Sequence, residues 1–250
     1  MEPFNMKIAG LPVHVQPLFA STREFCRAYL TDLSPEYFVE VSKFDLSYEQ
    51  QMMEKEAIEE GIRIRKFPEP FLERATIQRK VAVGLLDRDT ILLHGSTVCV
   101  DGAAYLFTAP CGTGKSTHTR LWREVLGDRA VMVNDDKTFL KITSSGVLAF
   151  GSPWSGKHGL NSNICVPLKV ICILQRGSEN EICRMVPEDA IGELRHQCFI
   201  PDTPQEREKA LYLIDELSRR VALWHLKCTK DPSAAWVSYY AMSGSGEGLL

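Results

Sequence analysis

No apolar run in the 250 residues is long enough to cross a bilayer, which excludes a helical membrane protein. Basic excess is missing too. With 29 Lys and Arg against 32 Asp and Glu, a net charge of −3 and a pI near 6.1, the chain cannot neutralise a run of phosphates, so no nucleic-acid partner is expected. The opening Met1-Glu2-Pro3-Phe4-Asn5 does not read as a signal peptide. Internal repeats are absent. The eight cysteines form no C-x-x-C pair and are scattered, several of them in strand-like apolar runs. They read as small core residues in a reducing cytoplasm rather than a disulfide framework. A composition of 44% hydrophobic and 24% charged residues is that of a soluble globular protein with a sizeable core, in one large domain or two small ones.

Against this background one stretch stands out: Ala109-Pro110-Cys111-Gly112-Thr113-Gly114-Lys115-Ser116-Thr117. Its glycines let backbone N–H groups turn toward an anion. Lys115 reads as a solvated cation reaching the outer phosphates, and the Ser116 hydroxyl is placed for Mg²⁺. Residues 118–126 have helical spacing and Ala103–Thr108 has strand composition, so the loop opens onto a helix N-terminus that favours negative charge. Strand, glycine loop, GKS and helix together predict a phosphate-binding loop; a glycine turn before an ordinary helix is the plainer alternative. The pattern departs from the full motif at Ala109, where Gly is usual and Ala resists a positive φ. Cys111, inside an anion-binding loop, could carry a lowered thiol pKa, although a loop-filling role is simpler.

The first third reads as a small α+β module, residues 1–68. Residues 6–15 suggest a bent or edge strand interrupted by Gly10 and Pro12. Ser21-Thr22-Arg23-Glu24 reads as a capping box for a short helix, 38–42 as a strand, and Ser47-Tyr48-Glu49-Gln50 as a second cap for a helix ending near Gly61. Ile62–Arg65 alternates like a strand. This module has three candidate roles: scaffold, contact with a second copy in a homo-oligomer, or recognition of an acceptor. Phe67-Pro68-Glu69-Pro70 marks the expected boundary. Beyond it, residues 69–242 read as the catalytic domain: a helix over 71–86, a strand over 90–94, and a hairpin whose Asp101-Gly102 turn joins 96–100 to 103–108. A buried strand over 130–133 ends in Asn134-Asp135-Asp136, and a second hairpin turns at 143–146. After the loop 151–159 come a strand over 168–174, helices over 187–199 and from Pro204, a strand over 221–226 and a last helix after Asp231-Pro232. The Gly/Ser-rich tail 243–250 is expected to fray.

A strand ending in two carboxylates beside a phosphate loop has a chemical use. One can bind metal while the other accepts the proton of an attacking hydroxyl. His94 ends an apolar strand that the hairpin returns toward the loop, so it is a candidate to lie near the γ-phosphate or to orient an aspartate, with a structural histidine as the plainer alternative. The segment Trp154-Ser155-Gly156-Lys157-His158 offers cations that could clamp phosphate oxygens, with Lys157 foremost.

Together, Leu93-His94-Gly95-Ser96-Thr97-Val98, the hairpin, Cys111-Gly112-Thr113-Gly114-Lys115-Ser116 and Val133-Asn134-Asp135-Asp136 resemble the catalytic domain of HPr kinase/phosphorylase. That family shares its nucleotide fold with ATP-dependent phosphoenolpyruvate carboxykinase. The resemblance covers roughly residues 88–175 and implies an α/β fold with a mixed, barrel-like curled sheet, helices outside and the phosphate loop at its edge. It implies ATP and Mg²⁺ as cofactors, with residues 111–117 holding phosphate and Ser116 and Asp136 facing metal. Asp135 is implied as the base, with His94 and Asp136 in support. The Glu-x-Arg-Gly-Leu-Gly stretch of those kinases is replaced here by Gly151-Ser152-Pro153-Trp154-Ser155-Gly156-Lys157. The sequence thus looks more like divergent HPr-kinase-related bacterial proteins acting on the hydroxyl of a protein, peptide or small molecule. A cytoplasmic, ATP-dependent kinase is the leading expectation and a non-catalytic nucleotide-binding regulatory module the alternative. A carboxykinase-type lyase is disfavoured by the short chain.

Overall fold

The structure, a computed structural model, describes residues 1–59, 61 and 63–244. The chain divides into two units, Met1–Leu85 and Leu86–Leu250. The division therefore falls after the helix that follows the Pro-rich punctuation, not at Pro68, because side chains of that helix are tied into the first unit.

In the first unit, β1 (Phe4–Ile8) and β2 (Leu11–Gln16) form an antiparallel hairpin, and β3 (Tyr37–Glu40) adds in parallel to β2. The single bent strand expected over 6–15 is thus two strands. Ala9 and Gly10 both adopt positive φ (48° and 86°), a turn that two small residues permit. Phe4, Met6 and Ile8 point inward with Leu11, Val13 and Val15, the alternation of a half-buried sheet. The helix α1 (Ser21–Phe25) has no side-chain cap, because it starts at Ser21 with Ala20 at the N-cap; Thr22, inside it, donates its hydroxyl to Glu73. The cap of α2 (Lys43–Glu59) also lies earlier than its sequence suggests. The Ser42 hydroxyl accepts from the Asp45 amide at 3.2 Å and Asp45 accepts from the Ser42 amide at 2.8 Å, whereas Ser47 sits inside the helix. Residues 63–65 form no strand; Gln50 takes up this segment, bonding the Arg65 carbonyl at 2.8 Å and the Phe67 amide at 3.0 Å, and Ile62 lies outside the described residues. Last comes α3 (Glu69–Leu86), held by Glu73 to Leu18 and Thr22, by Arg79 to Glu49 (2.9 Å) and by Lys80 to Asp45 (2.8 Å).

The second unit is mixed α/β. Its strands are β4 (Thr90–His94), β5 (Ser96–Val100), β6 (Ala103–Thr108), β7 (Ala130–Asn134), β8 (Lys137–Thr143), β9 (Gly146–Phe150), β10 (Cys165–Arg176), β11 (Glu181–Met185) and β12 (Ala222–Cys228). Its helices are α4 (Lys115–Leu126), α5 (Pro187–Gln197), α6 (Pro204–Arg220) and α7 (Ser233–Ser243). Gly244 follows at φ 77°, and the rest of the predicted frayed tail lies outside the described residues. Both expected hairpins form, β5–β6 through Asp101 and Gly102 (φ 51° and 82°) and β8–β9 through Gly146 (φ 136°). The strand β11, unread in the sequence, pairs antiparallel with β12.

The strand order β4-β8-β9-β10-β6-β5-β7 turns on β10. At its start, Cys165–Pro167 pairs antiparallel with β9; beyond a register shift at Leu168/Val170 it pairs in parallel with β6 and, on its other edge, with β12. One long strand thus serves three ladders, one antiparallel and two parallel, which curls the sheet. Alternate residues feed two cores. Ala104, Leu106, Ile171 and Ile173 pack with Leu194 of α5 and Leu213, Ile214 and Leu217 of α6. Tyr105, Phe107, Val170, Cys172 and Leu174 pack with Leu121 and Trp122 of α4 and Tyr239 of α7. This explains why these strands read as unbroken apolar runs: both faces are covered.

The loop after β9 fits only without a side chain at Gly151, where an added Cβ would lie 1.8 Å from the Ser162 carbonyl oxygen and 2.8 Å from that of Val133. Gly151→Ala is expected to cost about 3 kcal/mol, at the upper end of overpacking effects, and to lower Tm by roughly 6–12 °C. A thermal melt within 1–2 °C of wild type would contradict this packing.

Candidate functional site

Between β6 and α4 the chain makes the loop predicted for anion binding. Gly112 and Gly114 hold φ of 76° and 131°, conformations in which a Cβ is strained. Ala109, standing where the motif usually has Gly, is fully buried with no positive φ, so its methyl group brings no strain. Gly114 precedes α4 and no side chain caps the helix start, which leaves the first-turn amides of a 12-residue helix directed at the loop. Ser116 and Thr117 are half-buried and Cys111 is exposed.

Lys115 differs from the solvated cation that the sequence suggests. It is 8% exposed, and its Nζ donates to the Ala109 carbonyl at 2.7 Å and that of Pro110 at 3.4 Å. From the end of β10, Arg176 donates to the carbonyls of Gly112 (2.6 Å) and Thr113 (3.3 Å). Two cations therefore fix the carbonyls of this loop, and the Thr113 amide donates to the Pro110 carbonyl at 3.3 Å.

The aspartate pair is held by a residue that sequence reasoning passed over. Asn134 accepts, through Oδ1, from the amides of Asp136 (2.8 Å) and Lys137 (2.6 Å). Its Nδ2 donates to the Ser152 carbonyl at 2.9 Å and hydroxyl at 3.0 Å. An Asn closing its own turn is a familiar local signal, and it was available in the sequence. Asp135 is 6% exposed and accepts from the Ser96 hydroxyl at 2.6 Å. Ser96 has one proton to give, so the 2.7 Å contact between Ser96 and Thr119 makes Thr119 the donor. The result is a buried relay, Thr119 to Ser96 to Asp135, running from the first turns of α4 to the end of β7.

Asp136 meets a different partner. His94 Nε2 lies 3.2 Å from Asp136 Oδ1, and the Gly95 amide donates to the Asp136 carbonyl at 2.9 Å. Burial lowers the His94 pKa below the usual imidazole range; the Asp136 bond raises it, and the charges of Lys137 and Lys115 lower it again. Burial pushes the Asp136 carboxyl up, but the His94 hydrogen bond and the charges of Lys137, His94 and Lys115 outweigh it and hold it low. At neutral pH an uncharged imidazole thus donates to an ionised carboxylate. His94 orients Asp136, then, and not Asp135.

The backbone of Gly156 (φ 65°) closes on Asp136, where an added Cβ would sit 3.2 Å from Asp136 Cβ. This puts the exposed Lys157, on the single 3₁₀ turn Gly156–His158, next in sequence to a residue touching the aspartate pair. Residues 94, 96, 115, 119, 135 and 136 are thus linked within one region. Ser96, Thr119 and Ser152 are polar residues of this site whose buried bonds the sequence does not display.

No family model matches the chain, and no curated protein matches it in sequence. Among solved structures, it is similar to the Hpr(Ser) kinase/phosphatase from Coxiella burnetii, with 8% identity and a TM-score of 0.36 over 62% of this chain and 97% of that one. No helix among the described residues is long and apolar enough to cross a membrane.

Two residues beyond Ser116, His118 is 2% exposed against the Phe107 ring, and burial lowers its pKa to about 4. The unfolded chain, with an ordinary imidazole, takes up a proton first as pH falls through 6.5. Stability is therefore full above that pH and is lost as pH falls toward about 4. The shift corresponds to about 3 kcal/mol. Denaturant midpoints at pH 7 and 4.5 are expected to differ by less in His118→Asn than in wild type; an unchanged pH slope would refute the neutral, buried imidazole.

Proposed function

We propose that this chain is a nucleotide-dependent phosphotransferase that moves a phosphoryl group from ATP to a hydroxyl of a protein, peptide or small molecule. The observation that carries this reading is the buried Thr119–Ser96–Asp135 relay, which fixes a carboxylate to the helix that begins with Lys115. Transfer of a phosphoryl group is mostly positioning and charge stabilisation, and the site supplies both. The amides of residues 112–117 and the α4 N-terminus receive phosphate oxygens. Lys115 leaves the Ala109 carbonyl for the outer phosphates, and Lys157 meets them from the opposite loop.

Among the described residues no three His, Cys, Asp or Glu side chains converge as a metal cage. The donors available, the Ser116 hydroxyl and the ionised Asp136, are hard oxygens. They suit Mg²⁺ arriving with its nucleotide, where most ligands come from phosphate and water. Bound there, Mg²⁺ would neutralise phosphate charge. Asp135, held by Ser96, takes the proton of the acceptor hydroxyl, and His94 keeps Asp136 aimed. A second reading exchanges the two aspartates, and the greater exposure of Asp136 favours it: its side chain is 31% exposed whereas Asp135 is buried.

Lys115→Ala is expected to weaken Mg-ATP binding tenfold or more, the value of a charge-assisted hydrogen bond. A melt run in parallel checks the loop carbonyls it releases, and equal affinities by calorimetry would refute the phosphate-binding role. Asp135→Asn is expected to keep Mg-ATP affinity while transfer of labelled γ-phosphate to proteins or candidate peptides falls by roughly 10²–10⁴-fold. If Asp136→Asn shows that pattern and Asp135→Asn does not, the exchanged reading holds. Tight Mg-ATP binding with no labelled product from either an extract or peptides would leave a regulatory nucleotide-binding module. Activity that survives EDTA would remove the metal roles of Ser116 and Asp136.

A further inference from the structure

We propose that the nucleoside part of the nucleotide lies over the cleft at the carboxyl ends of β6, β10 and β12, between Thr117, Arg176 and Lys230, with His118 at the cleft floor. The inference rests on the nucleotide reading above and adds the direction in which the nucleotide lies. Around the glycine loop the strands run β12-β10-β6-β5-β7, so the loop after β6 has the aspartates of β7 on one side and β10 and β12 on the other. An acceptor reaching Asp135 or Asp136 takes the first side. The rest of the nucleotide is left the second, and β12 stands two strand spacings from β6, roughly 10 Å, a distance a ribose and base can span.

Topology supports the same choice. β6, β10 and β12 are mutually parallel, with Thr108 beside Ile173 and Arg176 beside Cys228, so their carboxyl ends open on one edge. Ligands of parallel α/β sheets lie outside those ends. A cleft is present there, lined by Thr113, Thr117, His118, Leu174, Arg176 and Lys230 among others, with a volume of about 30 Å³, room for a water. The cleft shares Thr113, Gly114 and Thr117 with the glycine loop itself, so a phosphate bound there adjoins it directly.

A second observation points to a ligand independently. His118 lines this cleft and is 2% exposed; its Nε2 pairs with the Ser238 hydroxyl at 3.0 Å, whereas its buried Nδ1 has no hydrogen-bond partner among the described residues. A buried polar atom calls for a partner, and a base lying over the cleft supplies one through a water held in it. Above it the Arg176 guanidinium is fixed by its bonds to Gly112 and Thr113, so its flat face can stack on an aromatic base. Exposed Lys230 completes the rim.

The test is photolabelling of the full chain with an azidoadenosine triphosphate probe and Mg²⁺. The expected label falls in peptides containing 174–176 or 228–230 and disappears under excess ATP. Label confined to peptides around 94–96 or 151–162 overturns the subsite while leaving nucleotide binding intact. Cys228→Phe, which fills the cleft, is expected to weaken Mg-ATP binding about tenfold and leave Mg-tripolyphosphate binding unchanged. Equal ATP affinity in a folded variant, or an equal loss for both ligands, overturns the proposal. A wild-type chain that binds neither ATP nor tripolyphosphate refutes the nucleotide reading and the subsite with it.

Discussion

The hydrogen bonds from Thr119 to Ser96 and from Ser96 to Asp135 are the constraint on which the site depends. They join three elements far apart in sequence: the first turns of α4, the start of β5 and the end of β7. All three side chains are buried, and the lost water contacts are made good only if the three elements keep their mutual positions. Asn134 does the same for the turn beyond Asp135, closing it from inside and bonding Ser152 on the opposite loop. The aspartates consequently sit on a braced edge, not on a free turn.

That edge exists because the sheet separates two apolar cores. Residues of β6 and β10 alternate between the α5–α6 core and the α4–α7 core. Neither face is left to solvent, and the polar functions are driven to the strand ends. The exchange of partners along β10 brings antiparallel and parallel ladders onto one strand, so hairpin strands carrying His94 and Asp136 and parallel strands carrying Arg176 meet around a single loop. Backbone carbonyls of that loop are taken by Lys115 and Arg176. A bound phosphate would compete for the first of these cations, and the second would continue to hold the loop in shape.

Much of this was legible in the sequence because it depends on local chemistry. The glycine loop, the Asp101-Gly102 hairpin, the strand entering Asn134-Asp135-Asp136 and the helices opening at Pro187 and Pro204 follow from residues adjacent in the chain. The Ala9-Gly10 turn and the Ser42–Asp45 cap are local too, but each competes with a plausible neighbour. Ser47-Tyr48-Glu49-Gln50 reads as a better cap than Ser42-x-x-Asp45, and only the start of the helix at Lys43 separates them. The strand β11 escaped notice because Glu181-Ile182-Cys183-Arg184-Met185 carries little apolar signal; pairing with β12 makes it a strand.

By itself the sequence determined an α/β chain with a glycine-rich loop before a helix, two adjacent carboxylates after a buried strand, and no apolar run long enough to cross a bilayer. Tertiary structure alone decided which groups meet. It placed His94 on Asp136, and Ser96 on Asp135. It folded Lys115 back onto the Ala109 carbonyl, where the sequence suggested a solvated cation, and carried α3 into the first unit past a Pro-rich stretch that looked like a boundary. The reason is physical. Turns and caps are settled by bonds within a few residues, whereas partners 39 and 42 positions apart, as in the Ser96–Asp135 and His94–Asp136 pairs, are chosen by the strand order that buries both cores.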